Sequence, residues 1–313
     1  MARKPRLHFS GAVYHVILSG NGNQQVFFDD TDRTRLLLLI QEGIEKFGHK
    51  VHGYCLMPTS LQLVIEVDEV PLSRIMQQLG FRYTRWFNDW HGHAGHLFQG
   101  RYKAILIDPE RYLLNLVRYL HLAPVRSGEQ ADPMHYSWSS HRAYCGREKV
   151  LWLTTDRTLL QIEETGIRAL MKFHSYVNEG LERPPQIDFS RGGEVDPRIL
   201  GDEGFVRGVM KLSRQKYRPK VKAEKVTQAV LDRYKLTIEE LGAQGKNRQC
   251  AEARAYLAWL YLETGCDTLT ALGEELGRDV SSLSSAVRRL QLRGKKEEGV
   301  RERFDKLLRK VRP

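Results

Sequence analysis

Two polar side chains within one short apolar run are the first residues whose type and spacing bear on chemistry. In Ser60-Leu61-Gln62-Leu63-Val64-Ile65-Glu66, apolar Leu61, Leu63 and Ile65 alternate with Ser60, Gln62, Val64 and Glu66, which is the period of a strand. Ser60 and Gln62 therefore point to the same face, two residues apart. A pair of histidines there would hold a metal ion. A hydroxyl and an amide are poor ligands for a divalent cation without imidazole or carboxylate support. Tyr119 is the second residue of interest. A tyrosine can act as a nucleophile, its phenol oxygen forming a covalent link to the group it attacks. A free phenol has a pKa of about 10, so it is mostly protonated at neutral pH and needs activation. Its other reading is structural or DNA-contacting, with the ring packed on Tyr112 or Leu116 at helical spacing, and that reading is favoured.

The elements that must position these groups are legible in outline. Val13 to Leu18 reads as a first strand ending at a Gly/Asn turn. Asp29-Asp30-Thr31-Asp32 marks a helix start that runs to about Phe47, with Gly48 as its stop. A strand over 49–56 leads through Met57-Pro58-Thr59 into the Ser60 strand. Pro71-Leu72-Ser73 opens a helix carrying Ile75, Met76, Leu79, Tyr83 and Phe87. Arg101 to Ile107 reads as a basic strand, and Asp108-Pro109-Glu110 caps a helix from Arg111 to Leu122. This alternation predicts an α+β fold with a mostly antiparallel sheet. His91, His93 and His96 fit no standard metal spacing, and the glycines between them predict solvent- or phosphate-facing histidines.

The chain has 313 residues, enough for two or three domains, and 41% hydrophobic residues, enough for real cores. A formal charge of +11 points to a polyanion partner, most often nucleic acid. Cys55, Cys145, Cys250 and Cys266 have no CxxC spacing, so neither a zinc site nor a disulfide framework is suggested. No apolar run follows Met1-Ala2-Arg3-Lys4, so no signal peptide is expected. The apolar run over 36–40 is far too short to span a bilayer.

The first half of the chain resembles the single-tyrosine transposases, specifically the REP-associated group. The matching segments include Gly11-Ala12-Val13-Tyr14-His15-Val16, Gly53 to Glu66, Gly95-His96-Leu97-Phe98-Gln99-Gly100-Arg101-Tyr102-Lys103-Ala104, Arg118-Tyr119-Leu120-His121-Leu122-Ala123-Pro124 and Tyr136-Ser137-Trp138-Ser139-Ser140. The resemblance implies a strand bearing His-hydrophobic-His, a nucleophilic tyrosine on a later helix, and an amide ligand four residues after it. Here the two histidine positions hold Ser60 and Gln62, the tyrosine position holds Tyr119, and the third-ligand position holds Ala123. All three metal positions depart together. The expectation is a transposase fold without its catalysis, Tyr119 being vestigial, with no metal and no cofactor. The DNA-binding role survives in this reading. Arg101 and Lys103 share a strand face and, with Arg82, Arg85, Arg118 and Arg126, line a phosphate channel. Tyr83 and Trp86 are candidates for stacking on unpaired bases, with a core role as the alternative.

A second constellation follows a helical segment and a basic linker. From Val226 onward helical spacing dominates, and Thr237-Ile238-Glu239-Glu240 carries a capping pattern. Leu269 to Leu276, Gly277, and Ser281 to Leu292 read as two helices joined by a glycine turn, the second polar on its outer face: a helix-turn-helix. This region resembles the C-terminal DNA-binding domain of the bacterial replication initiator DnaA. That resemblance implies base or phosphate contacts from Arg278, Ser281, Ser282 and Ser285, and backbone contacts from Arg288 and Lys246. Val280 stands where that family typically has histidine. A plain helical bundle is the weaker alternative. The final charged helix, from Gly294 to Arg312, is expected to pack loosely or to dock elsewhere.

The reading divides the chain into a transposase-like domain (1–145), a helical segment and basic linker (146–225) and a DNA-binding domain (226–313). It predicts a cytoplasmic, nucleoid-associated, sequence-specific DNA-binding protein acting in transcriptional regulation. Its partners are duplex DNA, a hairpin or palindrome, and a second copy of itself, with no membrane. Rival readings are a transposase that still nicks single strands through Tyr119, and a scaffold that binds DNA without sequence preference.

Overall fold

The computed structural model describes residues 6–162, 166–182, 189–215, 221–243 and 247–311. The chain forms two units, residues 1–217 and 218–313. In the first, the chain passes from β1 (Val13–Ser19) through α1 (Asp30–Phe47) to β2 (Lys50–Met57) and β3 (Ser60–Glu66). Then come α2 (Leu72–His91), β4 (Lys103–Ile107), α3 (Pro109–His121) and the short α4 (Ala123–Arg126). The unit is completed by α5 (His141–Tyr144), α6 (Asp156–Leu159), α7 (Gly166–Glu179), β5 (Ile199–Leu200) and α8 (Glu203–Leu212).

The five strands lie in the order β2-β3-β1-β4-β5, antiparallel except for the parallel β4–β5 pair. Strand alternation assigns the two faces. Tyr14, Val16 and Leu18 of β1 join Leu61, Leu63 and Ile65 of β3 in a core with Leu36, Leu39 and Ile40 of α1 and Ile75, Leu79 and Tyr83 of α2. Val13, Val64 and Ile105 face the other way, against Leu113, Leu116, Val117 and Leu120 of α3 and Phe173 of α7. The sheet is thus sandwiched between two helical layers.

Local signals explain the element ends. The Asp29 carboxylate accepts from the backbone amides of Thr31 (2.8 Å) and Asp32 (3.1 Å), satisfying orphan donors at the start of α1. Gly48 ends the helix at φ 68°, a left-handed conformation that favours glycine. The outer edge of β2 is covered by the Tyr136–Ser140 motif. Leu56 donates to the Trp138 carbonyl (2.9 Å), Ser140 donates to the Tyr54 carbonyl (3.0 Å), and the Tyr136 hydroxyl reaches the Leu56 carbonyl (2.6 Å). An edge covered in this way offers no template for pairing with another chain.

Three expectations are revised. The basic strand starts at Lys103, leaving Arg101 in the turn before it. Tyr83 is fully buried, and its hydroxyl donates to the Val26 carbonyl (2.6 Å), so it is a core residue and no stacking platform. The segment after residue 145 packs within the first unit: α7 lies on α3, and β5 extends the sheet through backbone bonds from Leu106 and Asp108.

The second unit is helical: α9 (Ala223–Tyr234), α10 (Ile238–Gly242), α11 (Arg248–Thr264), α12 (Leu269–Leu276), α13 (Val280–Gly294) and α14 (Glu298–Val311). Its core is centred on α11, whose Tyr256, Leu257, Leu260 and Tyr261 are buried. The terminal helix is part of this core rather than loose. Val300, Phe304, Leu307 and Val311 are buried, and Phe304 stacks on Trp259 with centroids 3.9 Å apart. The reason is its apolar spacing at i, i+4, i+7 and i+11, one stripe of an amphipathic helix.

At the far end of β3, Glu66 gathers three donors: His52 Nε2 at 2.9 Å, Lys50 Nζ at 3.2 Å and Arg157 Nη1 at 2.9 Å. The hydrogen bond from His52, then the lysine, hold its pKa down at about 2 from an ordinary 4.5, against the opposing effect of partial burial. A depressed carboxylate pKa gives stability that is complete above the unfolded value and is lost as pH falls through the folded one. Glu66→Gln is therefore expected to cost the first unit about 1–2 kcal/mol at neutral pH, after allowance for solvent screening. Denaturant unfolding of wild type and variant over a pH series should show the difference shrinking between pH 4.5 and about 2.

Candidate functional site

The site is built on the sheet face beneath α3. Antiparallel pairing sets Ile17 opposite Gln62 and His15 opposite Val64, so His15 and Gln62 are diagonal neighbours on that face. Pairing with β4 sets Lys103 opposite Ile17 and Ile105 opposite His15. Ser60 opens β3 on the same face, paired across to Ser19.

His15 is the centre of this surface. Its ring is buried, Nδ1 lies 2.8 Å from the Phe189 carbonyl, and Nε2 lies 3.1 Å from the side-chain amide of Gln62. A carbonyl can only accept, so Nδ1 carries the proton. Burial above all lowers the pKa of the ring, and the charge of Lys103 adds to the effect. The ring is then neutral, Nε2 is bare, and Gln62 must present its NH2 group as donor, an orientation open to any amide by a half-turn. The lone pair of His15 and the donor of Gln62 are thus committed to each other.

Tyr119 sits on α3 above this pair, half-buried. Its ring meets His15 edge-on (centroids 6.1 Å, 79°) and Phe189 at 5.3 Å. The Arg126 guanidinium lies 4.6 Å from the ring centroid, and its Nη1 donates to the Tyr119 carbonyl at 3.1 Å. His15, Phe189 and Arg126 are thus ring partners of Tyr119, which also packs against the cluster that contains Leu116. Ala123, one helical turn on, offers only a methyl group. A hydroxyl at Ser60, a committed amide at Gln62 and a methyl at Ala123 do not fit a divalent cation, and one buried imidazole does not replace the missing donors.

The expected phosphate channel is not a single surface. Lys103 lies on the α3 face, whereas Arg82 and Arg85 belong to α2 on the opposite side of the sheet. Arg82 pairs with Glu42, and Arg85 lies 3.9 Å from Asp89. Arg118 is turned inward over Tyr176 (4.3 Å) and donates to Asn115 Oδ1 (3.0 Å). Arg101 instead borders a groove of about 450 Å³ with Arg6, Gln77, Phe81, Thr84 and His96. Nη1 of Arg6 finds no hydrogen-bond partner among the described residues. Trp86 is half-buried and stacks on exposed Trp90. His91 bonds Asp32 (2.7 Å) and His93 bonds Asn88 (3.1 Å).

In the second unit, α12 and α13 are joined through Gly277 (φ 59°) and Asp279, which caps Ser281 N (2.7 Å) and Ser282 N (3.2 Å). Leu283, Val287 and Leu290 point inward, leaving Ser282, Ser285, Arg288 and Arg289 exposed. Two expected contact residues are otherwise engaged. Ser281 Oγ donates to Asp279 (2.6 Å), and Arg278 folds back to donate to the Ala243 carbonyl. Lys246 lies outside the described residues.

His15 is the site residue that sequence reading missed. Its only sequence signal is its place in the Val13–Leu18 alternation, which becomes informative once β1 is known to pair with β3. Replacing Ser60→His, Gln62→His and Ala123→Asn together is expected to raise Mn2+-dependent cleavage of single-stranded DNA at least tenfold, through an adduct on Tyr119. Gel assays of adduct formation read this directly. No gain in a folded triple variant would show that the three side chains do not converge.

The family model described as "Transposase IS200 like" matches residues 8–122. The REP-associated tyrosine transposase solved bound to a REP hairpin is similar in structure, with 15% identity and a TM-score of 0.41, over 50% of this chain and 94% of that one. A candidate transposase from Deinococcus radiodurans R1 is 16% identical at a TM-score of 0.29, over 36% of this chain and 93% of that one. No curated protein matches the chain. Among the described residues no helix is long and apolar enough to cross a membrane. The stretch that is similar to this family model, residues 8–122, carries Tyr119, Ser60 and Gln62.

Proposed function

We propose that this chain is a DNA-binding protein that keeps the transposase fold without its strand-cleaving metal centre, and that it recognises a duplex or hairpin sequence to regulate nearby transcription. The observation that carries this reading is the closed His15–Gln62 pair beneath Tyr119 (3.1 Å), with a methyl group at Ala123. Without metal assistance, attack on a phosphodiester would depend on the phenol alone. The lost Lewis-acid help is several kcal/mol, and each ~1.4 kcal/mol is a tenfold change in rate.

Binding is supported by the net charge of +11 and by two surfaces. The groove with Arg6, Arg101 and exposed Phe81 suits a phosphate backbone beside an unpaired base. The outer face of α13, with Ser282, Ser285 and Arg288, suits base edges and phosphates in the manner of a recognition helix, in keeping with the DnaA-like sequence pattern. Two DNA-binding units on one chain raise each other's effective concentration when both sites lie on one molecule.

The test is selection of the full chain on labelled hairpin and duplex pools, with and without Mg2+ or Mn2+. The expected outcome is an enriched duplex motif and no covalent adduct. Ser282→Ala with Ser285→Ala should reduce the preference roughly tenfold, and Arg288→Ala should lower the salt slope by about one. A metal-dependent adduct abolished by Tyr119→Phe would restore the nicking transposase. Steep salt dependence with no preferred sequence would leave a scaffold.

A further inference from the structure

Tyr119 and His121 are two residues apart on α3 and so project to nearly opposite sides of the helix. On the His121 side, buried against α5 and α7, three histidines, a cysteine, a serine and an asparagine form one chain of contacts.

The Tyr54 amide donates to Ser140 Oγ (3.1 Å), and Ser140 Oγ donates to the Tyr54 carbonyl (3.3 Å). Ser140 Oγ also lies 2.8 Å from His121 Nε2, and His121 Nδ1 lies 3.2 Å from His141 Nδ1. Nε2 of His141 faces His174 Nδ1 at 3.1 Å and Cys145 Sγ at 3.5 Å.

The other end is anchored by Asn178, whose side-chain nitrogen lies 3.1 Å from His174 Nε2. Two imidazole nitrogens and a thiol sulfur therefore stand within reach of one another in a pocket half-closed to solvent.

We propose that His141 Nε2, Cys145 Sγ and His174 Nδ1 bind one Zn2+ ion, with a solvent-derived fourth ligand. The three ligand atoms lie within 4.8 Å of one another. Tetrahedral bonds of about 2.0 Å to nitrogen and 2.3 Å to sulfur require separations of about 3.3 Å (N–N) and 3.5 Å (N–S), close to the 3.1 Å between His141 Nε2 and His174 Nδ1 and the 3.5 Å between His141 Nε2 and Cys145 Sγ. The donor set of two imidazoles and a thiolate selects a borderline metal, where Mg2+ and Mn2+ prefer oxygen. His121, against His141 Nδ1, and Asn178, against His174 Nε2, supply the orienting hydrogen bonds that metal-bound histidines require. On binding, the Zn–S bond forms as the S–H bond breaks. The proton leaves to solvent, and no redox change occurs. Burial raises the free thiol pKa to about 12, and the cation offsets this by stabilising the thiolate. The ion would tie α5 to α7 behind the helix that carries Tyr119.

The test is Co2+ titration of the metal-stripped full chain, followed by Zn2+. The expected result is one Co2+ per chain with tetrahedral visible bands and a thiolate charge-transfer band, displaced by Zn2+ and unaffected by Mg2+. Cys145→Ser should abolish the charge-transfer band, His174→Gln should weaken uptake at least tenfold, and Asn178→Ala about tenfold. Absence of the thiolate band in folded wild type, or equal uptake by Cys145→Ser with His174→Gln, would overturn the site. Should those variants fail to fold, alkylation of Cys145 in the wild type decides. Slowing by Zn2+ supports the site, and an unchanged rate overturns it.

Discussion

The antiparallel register between β1 and β3 is the constraint on which the first unit depends. It runs without interruption from Val13 opposite Glu66 to Ser19 opposite Ser60. This register gives one face to Tyr14, Val16 and Leu18 and the other to Val13, His15 and Ile17. A slip by one residue would drive His15 into the apolar layer of α1 and α2 and turn Tyr14 away from its bond to the Leu7 carbonyl (2.7 Å). The cost of burying an unpartnered imidazole, roughly 1–3 kcal/mol or more, makes that slip unfavourable before any apolar packing is counted. The same register brings Gln62 within reach of His15. A polar pair that specifies the fold thus occupies the surface beneath Tyr119.

Helix α3 carries the consequences outward on both sides. It packs Leu113, Leu116, Val117 and Leu120 on the sheet and presents Tyr119 and His121 in nearly opposite directions. Arg118, between them, lies flat on Tyr176, and the Tyr176 hydroxyl shares Asn115 Oδ1 with it (2.7 Å). A basic residue beside a tyrosine looks like a phosphate contact in sequence. In the folded chain its guanidinium anchors α7 instead. The distinction arises because α7 comes more than forty residues later, at Gly166–Glu179.

Local signals were legible where a residue acts within its own element. The Ser60–Glu66 strand, the Asp29 cap, the Gly48 stop and the inward stripe of Leu283, Val287 and Leu290 all follow from spacing and backbone chemistry. What spacing could not show depends on partners distant in sequence. Tyr83 has the look of an aromatic platform until the Val26 carbonyl is found 57 positions away. Arg278 reads as a contact residue until Ala243 accepts from it across 35 positions. Strand β5 consists of two residues that owe their conformation to the neighbouring β4. Cys145 carried no metal signal, since its partners are a histidine four residues back and another on α7.

Donor chemistry separates the two clusters that flank α3. Around His15 the donors and acceptors close: the Phe189 carbonyl takes one proton, and the Gln62 amide fills the remaining lone pair. Such a group is stable as it stands and has no affinity left for a ligand. Around His141 the donors are of another kind: two imidazole nitrogens 3.1 Å apart and a thiol sulfur 3.5 Å from one of them. Such a set suits a borderline cation, where the hydroxyl, amide and methyl at Ser60, Gln62 and Ala123 do not. A strand position that resembles a metal-binding motif draws attention first, yet the better donor set is the one assembled from α5, Cys145 and α7, whose members are too scattered in sequence to be seen there.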